Sequence, residues 1–151
     1  MTASNVAGLL AELVAIPTQQ AGTGTPGDEL RLCEYLAPLL RARGADAVHI
    51  ETAKRTDGSP GAFVFATWGT PHRVINAHLD TVPPNAGWSR DPWTPTIEDG
   101  KLYGLGSADT KGAIAATLVA LEAATPQNVG VLFSGDEEAG SHVLHAFLAS
   151  P

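Results

Sequence analysis

Apolar residues recur at helical spacing at the start of this chain. Val6, Leu9, Leu10, Leu13 and Val14 share one face, Ser4 or Asn5 stands where a cap belongs, and Pro17 ends the run. Thr18 to Gly27 reads as loop. Asp28 to Arg43 repeats the period through Leu30, Cys33, Leu36, Leu39 and Leu40, with Gly44 at the stop position and Pro38 as the place for a kink. Ala47 to Ala53 and Ala62 to Trp68 are short β-type runs around the turn Lys54 to Gly61, so they pair as neighbours. Val74 to Leu79 and Val129 to Phe133 are nearly continuous apolar runs, the pattern of strands covered on both faces. Between them Gly112 to Ala124 predicts a helix with Ile114, Leu118 and Leu121 on one side, and Ser141 to Ser150 predicts a last one. The order α, α, β, β, β, loop, α, β, α predicts an α/β sandwich with a mixed sheet.

The 151 residues suit one domain with one core, and no internal repeat or low-complexity segment interrupts them. A net charge of -7, with nine basic residues spread along the chain, supplies no basic patch for a phosphate backbone and argues against nucleic acid. The single cysteine, Cys33, falls in a helical pattern; it forms no disulfide framework and reads as core in a reducing compartment. No export signal precedes Pro17, and no run approaches the ~20 apolar residues of a membrane span. The expectation is a cytoplasmic protein.

Three clusters carry chemistry. His78 and Asp80 lie two apart at the end of a strand run and so project to one side, a ligand and its orienter. Asp109 follows the glycine-spaced loop Gly104-Leu105-Gly106-Ser107. It serves either as the N-cap of the next helix or as a carboxylate shared between metals. Asp136, Glu137 and Glu138 follow an apolar strand, at the edge where ligands collect in open α/β sheets, and crowding there raises carboxylate pKa values toward those of a general base. Each cluster alone has a plain structural explanation. Three at strand ends or helix mouths are better explained by one site.

In order and spacing, His78-x-Asp80-x-Val82-Pro83, Gly104-x-Gly106-x-x-Asp109-x-Lys111-Gly112 and Asp136-Glu137-Glu138-x-Gly140 resemble the three successive signatures of the M20 metallopeptidases and deacylases, which include aminoacylase and acetylornithine deacetylase. The resemblance implies residues 1–151 as the N-terminal part of a di-zinc hydrolase catalytic domain. Its fold would be a three-layer α/β sandwich with a mixed sheet, partial on its C-terminal side and without the lid and dimerisation domain. It implies that His78 binds one Zn2+, Asp109 bridges two, and Glu138 binds the other, with Co2+ the alternative metal. Glu137 would be the general base and Asp80 a supporting catalytic residue. A cis peptide is implied at Asp109-Thr110, and a further acid and histidine are implied beyond Pro151.

Within the family, Asn76 to Pro83, Gly87-Trp88-Ser89 and Val131 to Glu138 look most like the acetylornithine and acetylcitrulline deacetylases of arginine biosynthesis, with succinyl-diaminopimelate desuccinylases close by. That implies hydrolysis of a small N-acylated amino acid or peptide. The alternatives are a dipeptidase or aminopeptidase of the same family, or a non-catalytic fragment that binds metal, a partner or a second copy through uncovered surface. His142 and His145 are candidate substitute ligands, although a terminal helix should carry them away from the site. Trp88 and Trp93 are expected to pack their loop onto the sheet or to wall a cleft. Lys111 is expected to be solvated or to meet an anionic substrate, and Thr81 and Ser107 to make turn hydrogen bonds.

Overall fold

The computed structural model describes residues 5–21, 27–124 and 126–150. Helix α1 (Val6–Val14) is capped by Asn5, whose Oδ1 accepts from Ala7 N at 3.0 Å. The other candidate cap, Ser4, lies outside the described residues, as does part of the expected Thr18 to Gly27 loop. Helix α2 (Glu29–Ala42) starts at Asp28, whose Oδ1 accepts from Arg31 N at 2.9 Å, and runs through Pro38 as one element.

Strands β1 (Ala47–Lys54) and β2 (Pro60–Trp68) form the expected antiparallel pair, in the register Val48↔Ala66 and Ile50↔Val64. Strand β3 (Arg73–His78) comes next. The segment expected to be plain loop then holds a small hairpin, β4 (Thr96–Glu98) and β5 (Lys101–Tyr103). Its turn is Asp99-Gly100, both with positive φ (50° and 72°), a two-residue hairpin signal that the sequence displays openly. Helix α3 (Gly112–Ala123), strand β6 (Val129–Ser134) and helix α4 (His142–Ala149) complete the chain.

The main sheet has the order β1-β2-β6-β3, with β6 antiparallel to β2 and parallel to β3. It is the mixed sheet of a three-layer sandwich. On one face Ala62, Val64 and Ala66 of β2 and Val131 and Phe133 of β6 meet apolar residues of α1, α2 and α3. On the other, Phe63 and Leu132 pack against Val143 of α4, with the Phe147 ring edge-on to Phe63 at 5.4 Å between centroids. Cys33 is fully buried in the larger core, and burial holds its thiol pKa well above the ordinary range.

One strand departs from expectation. β6 is buried from Gly130 to Ser134, but β3 forms an edge of the sheet, and Val74 and Ile75 are 48% and 45% exposed. A continuous apolar run tells that a strand has two apolar faces, not that both are covered.

A charged pair sits inside the core. Arg55 Nε lies 2.9 Å from Glu29 Oε1, with both side chains inaccessible to solvent. Burial pushes the Glu29 pKa from its ordinary 4.5 up to about 7, against the lowering effects of Arg55 and of backbone N–H groups from Ala62 and Asp136. The folded chain therefore retains a proton between those two values that the unfolded chain releases, and stability declines as pH rises through that window. Glu29→Gln should flatten this decline, checked by urea midpoints of both proteins at about pH 5 and about pH 7.5.

Candidate metal centre

Parallel pairing of β3 with β6 brings the carboxyl ends of both strands to one edge, His78 opposite Ser134. Leu79 N extends the ladder to Ser134 O at 2.8 Å before the chains diverge. Loops leaving two adjacent parallel strands at their carboxyl ends start from one edge of the sheet, where ligands collect in open α/β folds. The crossover from β3 to β6 passes through the turn Ser107–Lys111, which returns Asp109 to the same edge.

Donor atoms of His78, Asp109 and Glu138 lie within 4.8 Å of one another. His78 Nε2 is 3.0 Å from Asp109 Oδ1 and 3.8 Å from Glu137 Oε2. Its other ring nitrogen, Nδ1, is 3.0 Å from the Asp80 backbone carbonyl. A carbonyl only accepts, so Nδ1 carries the proton and Nε2 of a neutral ring directs its lone pair at a carboxylate oxygen. Burial works against charge on His78, but Asp80 and Asp109 outweigh it and raise the imidazole pKa to about 9.

Asp80 acts differently from a simple partner of His78. Its carboxylate is fully buried, and its oxygens accept from Glu137 N and Glu138 N, each at 3.0 Å, and from Gln20 Nε2 at 2.6 Å. Burial pushes its pKa up, but His78, Gln20 and the two backbone donors hold it below the ordinary value. Asp80 thus ties the His78 loop to the turn that carries the acids. Glu138 has a raised pKa, from burial first and then from the charge of Asp109. Crowding thus adds to burial at Glu138, one of the two acids in the three-donor group.

Four expectations need correction. Lys111 is neither solvated nor available to substrate: it is fully buried, and Nζ donates to the carbonyls of Leu13 at 3.0 Å and Ile16 at 2.7 Å. Burial pulls its pKa down to about 7. Asp109 is not a helix cap, because α3 begins at Gly112 behind a non-helical turn and the Asp109 side chain is 78% exposed. The Asp136-Glu137-Glu138 run is divided, with Asp136 buried and accepting from Thr56 Oγ1 at 2.7 Å and His142 N at 2.9 Å. Thr81 Oγ1 is buried without a hydrogen-bond partner; its backbone makes the contacts, to Thr18 O and from Gln20 N.

The Asp109-Thr110 peptide is cis, as the resemblance implies. His142 and His145 lie on α4 and are not part of the three-donor group, while Trp88 and Trp93 are half-buried in their loop. Sequence reasoning missed Gln20 and Glu29. Glu29 was detectable, since it continues the buried stripe of Leu32, Cys33 and Leu36 on α2, where an acid has no place unless it is partnered.

Comparison with known proteins agrees with this geometry. Residues 74–149 match the model of peptidase family M20/M25/M40. The chain belongs to that family. It is 35% identical to succinyl-diaminopimelate desuccinylase from Stenotrophomonas maltophilia (strain K279a), over 97% of this chain and 40% of that protein. It is 42% identical to N-acetyl-L-citrulline deacetylase from Xanthomonas campestris pv. campestris, over 66% of this chain and 27% of that protein. Among solved structures, human carnosine dipeptidase 1 superimposes with a TM-score of 0.73 at 27% identity, over 95% of this chain and 34% of that chain. This member of the M20 family thus spans two fifths or less of the length of these relatives. Among the described residues no helix is long and apolar enough to cross a membrane.

Asp80→Asn places an amide N–H₂ against backbone N–H donors in a buried site. It should cost about 1–3 kcal/mol of stability, read from chemical unfolding, whereas Gln20→Ala should cost less because Asp80 keeps both backbone donors.

Proposed function

We propose that this chain is the metal-binding N-terminal part of a hydrolase that cleaves the amide bond of small N-acylated amino acids, as a desuccinylase or deacetylase does. The convergence of His78, Asp109 and Glu138 carries this reading. One imidazole and two carboxylates are a donor set suited to Zn2+, with Co2+ as the alternative, and the fixed tautomer of His78 points its free lone pair into the group. A divalent ion held there supplies a Lewis acid and lowers the pKa of water.

The chain's own residues supply the remainder. Glu137 is half-exposed, with Oε2 3.8 Å from His78 Nε2, so it reaches the space beside the three donors and is placed to take a proton from water and return it to the leaving amine. As the resemblance implies, Asp109 would be shared between two ions, with His78 and Glu138 as the other holders. Such a pair would draw two ligands each from this segment, where catalytic zinc normally has three protein ligands, so the complete protein would supply further donors. N-acyl substrates are favoured over dipeptides because the desuccinylase and deacetylase relatives share 35–42% identity with this chain, against 27% for the dipeptidase.

The purified chain should take up Zn2+ or Co2+, measured by metal analysis and by cobalt absorption. Asp109→Ala should abolish uptake, His78→Ala and Glu138→Ala should each lower it, and His142→Ala should leave it unchanged. Undiminished metal in the first three variants would refute the assignment. In the complete gene product Glu137→Gln should keep its metal and lose about 10²–10⁴-fold in kcat on a succinylated or acetylated amino acid, measured beside a simple dipeptide to separate the substrate classes.

A further inference from the structure

Four consecutive backbone N–H groups in the turn after β6 point inward onto acceptors from other elements. Gly135 N donates to Ala62 O at 3.0 Å, Asp136 N to Glu29 Oε1 at 3.2 Å, and Glu137 N and Glu138 N to the two oxygens of Asp80 at 3.0 Å. With the N–H groups held inward, the Glu137 side chain reaches His78 and the Glu138 side chain joins the three-donor group. Asp80 belongs to the motif after β3. Glu29 belongs to none, and lies in the stretch before residue 74 where the family match begins.

We infer that Glu29 is a positioning residue for the acids of the metal centre: from α2, its carboxylate fixes the Gly135-Asp136 backbone from which Glu137 and Glu138 extend. This rests on the metal-centre reading above. Glu29 ties the turn to β2, because Oε2 accepts from Ala62 N at 2.9 Å while Oε1 accepts from Asp136 N. It also occupies the volume a side chain at Gly135 would need, since a Cβ there would lie 1.8 Å from Oε2. Arg55 sets the carboxylate's direction from 2.9 Å and is itself held by Gly27 O at 3.0 Å.

The turn requires such a hold. Asp136 sits at φ 65°, a left-handed conformation unfavourable for a residue with a side chain, and persists where surrounding bonds over-determine it. The Asp136 carboxylate supplies part of that constraint through Thr56 N, Thr56 Oγ1 and His142 N, and Glu29 supplies the backbone part. A buried ion pair adds little stability over apolar residues of the same volume. What Glu29 and Arg55 provide here is a fixed direction for a buried acceptor.

The test compares the parent chain with Glu29→Gln, and with Glu29→Asp, which keeps the charge but falls one methylene short of Asp136 N and serves if the glutamine variant does not fold. Amide hydrogen exchange followed by NMR should show protection at Asp136, Glu137 and Glu138 falling about tenfold further than at Val131, Leu132 and Phe133 of β6. Cobalt affinity, followed by absorption, should weaken about tenfold in the same variants. An equal loss of protection at the turn and in β6 would show that Glu29 only stabilises the fold and would overturn the inference. So would a loosened turn with cobalt affinity unchanged. A parent chain that binds no cobalt would refute the metal-centre reading, and the exchange comparison would still decide whether Glu29 holds the turn.

Discussion

The parallel register of β3 with β6 is the constraint on which the rest depends. It sets His78 opposite Ser134, so the two strands end together and their loops leave from one edge. An antiparallel pair would send those loops to opposite ends of the sheet and separate the imidazole from the acids. Parallel pairing needs a long crossover, and the chain from Leu79 to Asn128 provides it, through the β4–β5 hairpin, the Asp109 turn and α3. The crossover is also what returns Asp109 to the edge its flanking strands share.

Around that edge, charges turned inward position charges turned outward. Asp80 and Glu29 capture the backbone beneath Glu137 and Glu138, while Lys111 hooks the Asp109 turn to the carbonyls at the end of α1. Gly106, at φ 78°, lets the turn pass close to Thr81, where a Cβ would meet Thr81 Cγ2 at 2.5 Å. The three outward donors are thereby tied to α1, α2 and the sheet, although none of them is itself in a helix. Burial first, and then the charge of Asp109, raises the Glu138 pKa, and a bound cation would relieve the repulsion between these acids.

Membership of the M20 family accounts for the motifs and for the sandwich. Desuccinylase and deacetylase relatives match this chain over two fifths or less of their own length, and the dipeptidase over about a third of its chain. The features this segment supplies are one edge of the sheet, three converging donors and a neighbouring glutamate.

Helical spacing, cap and stop residues and short apolar runs located the four helices and the four strands of the main sheet, because burial of a helix face or of a strand leaves its mark in the residue order. The family resemblance of the motifs likewise marked His78, Asp109 and Glu138, in clusters that stand at strand ends or at the mouth of a helix. Only the tertiary structure decided the rest. The order of residues shows that Lys111 is charged, but not that two helix-end carbonyls wait for it ninety-five residues and more upstream. It shows three acids in a row, but not that a left-handed backbone at Asp136 turns the first one inward. It shows the apolar run of β3, but not that the strand lies at the sheet's edge. Burial and partner depend on which distant segments meet, and local pattern does not encode that.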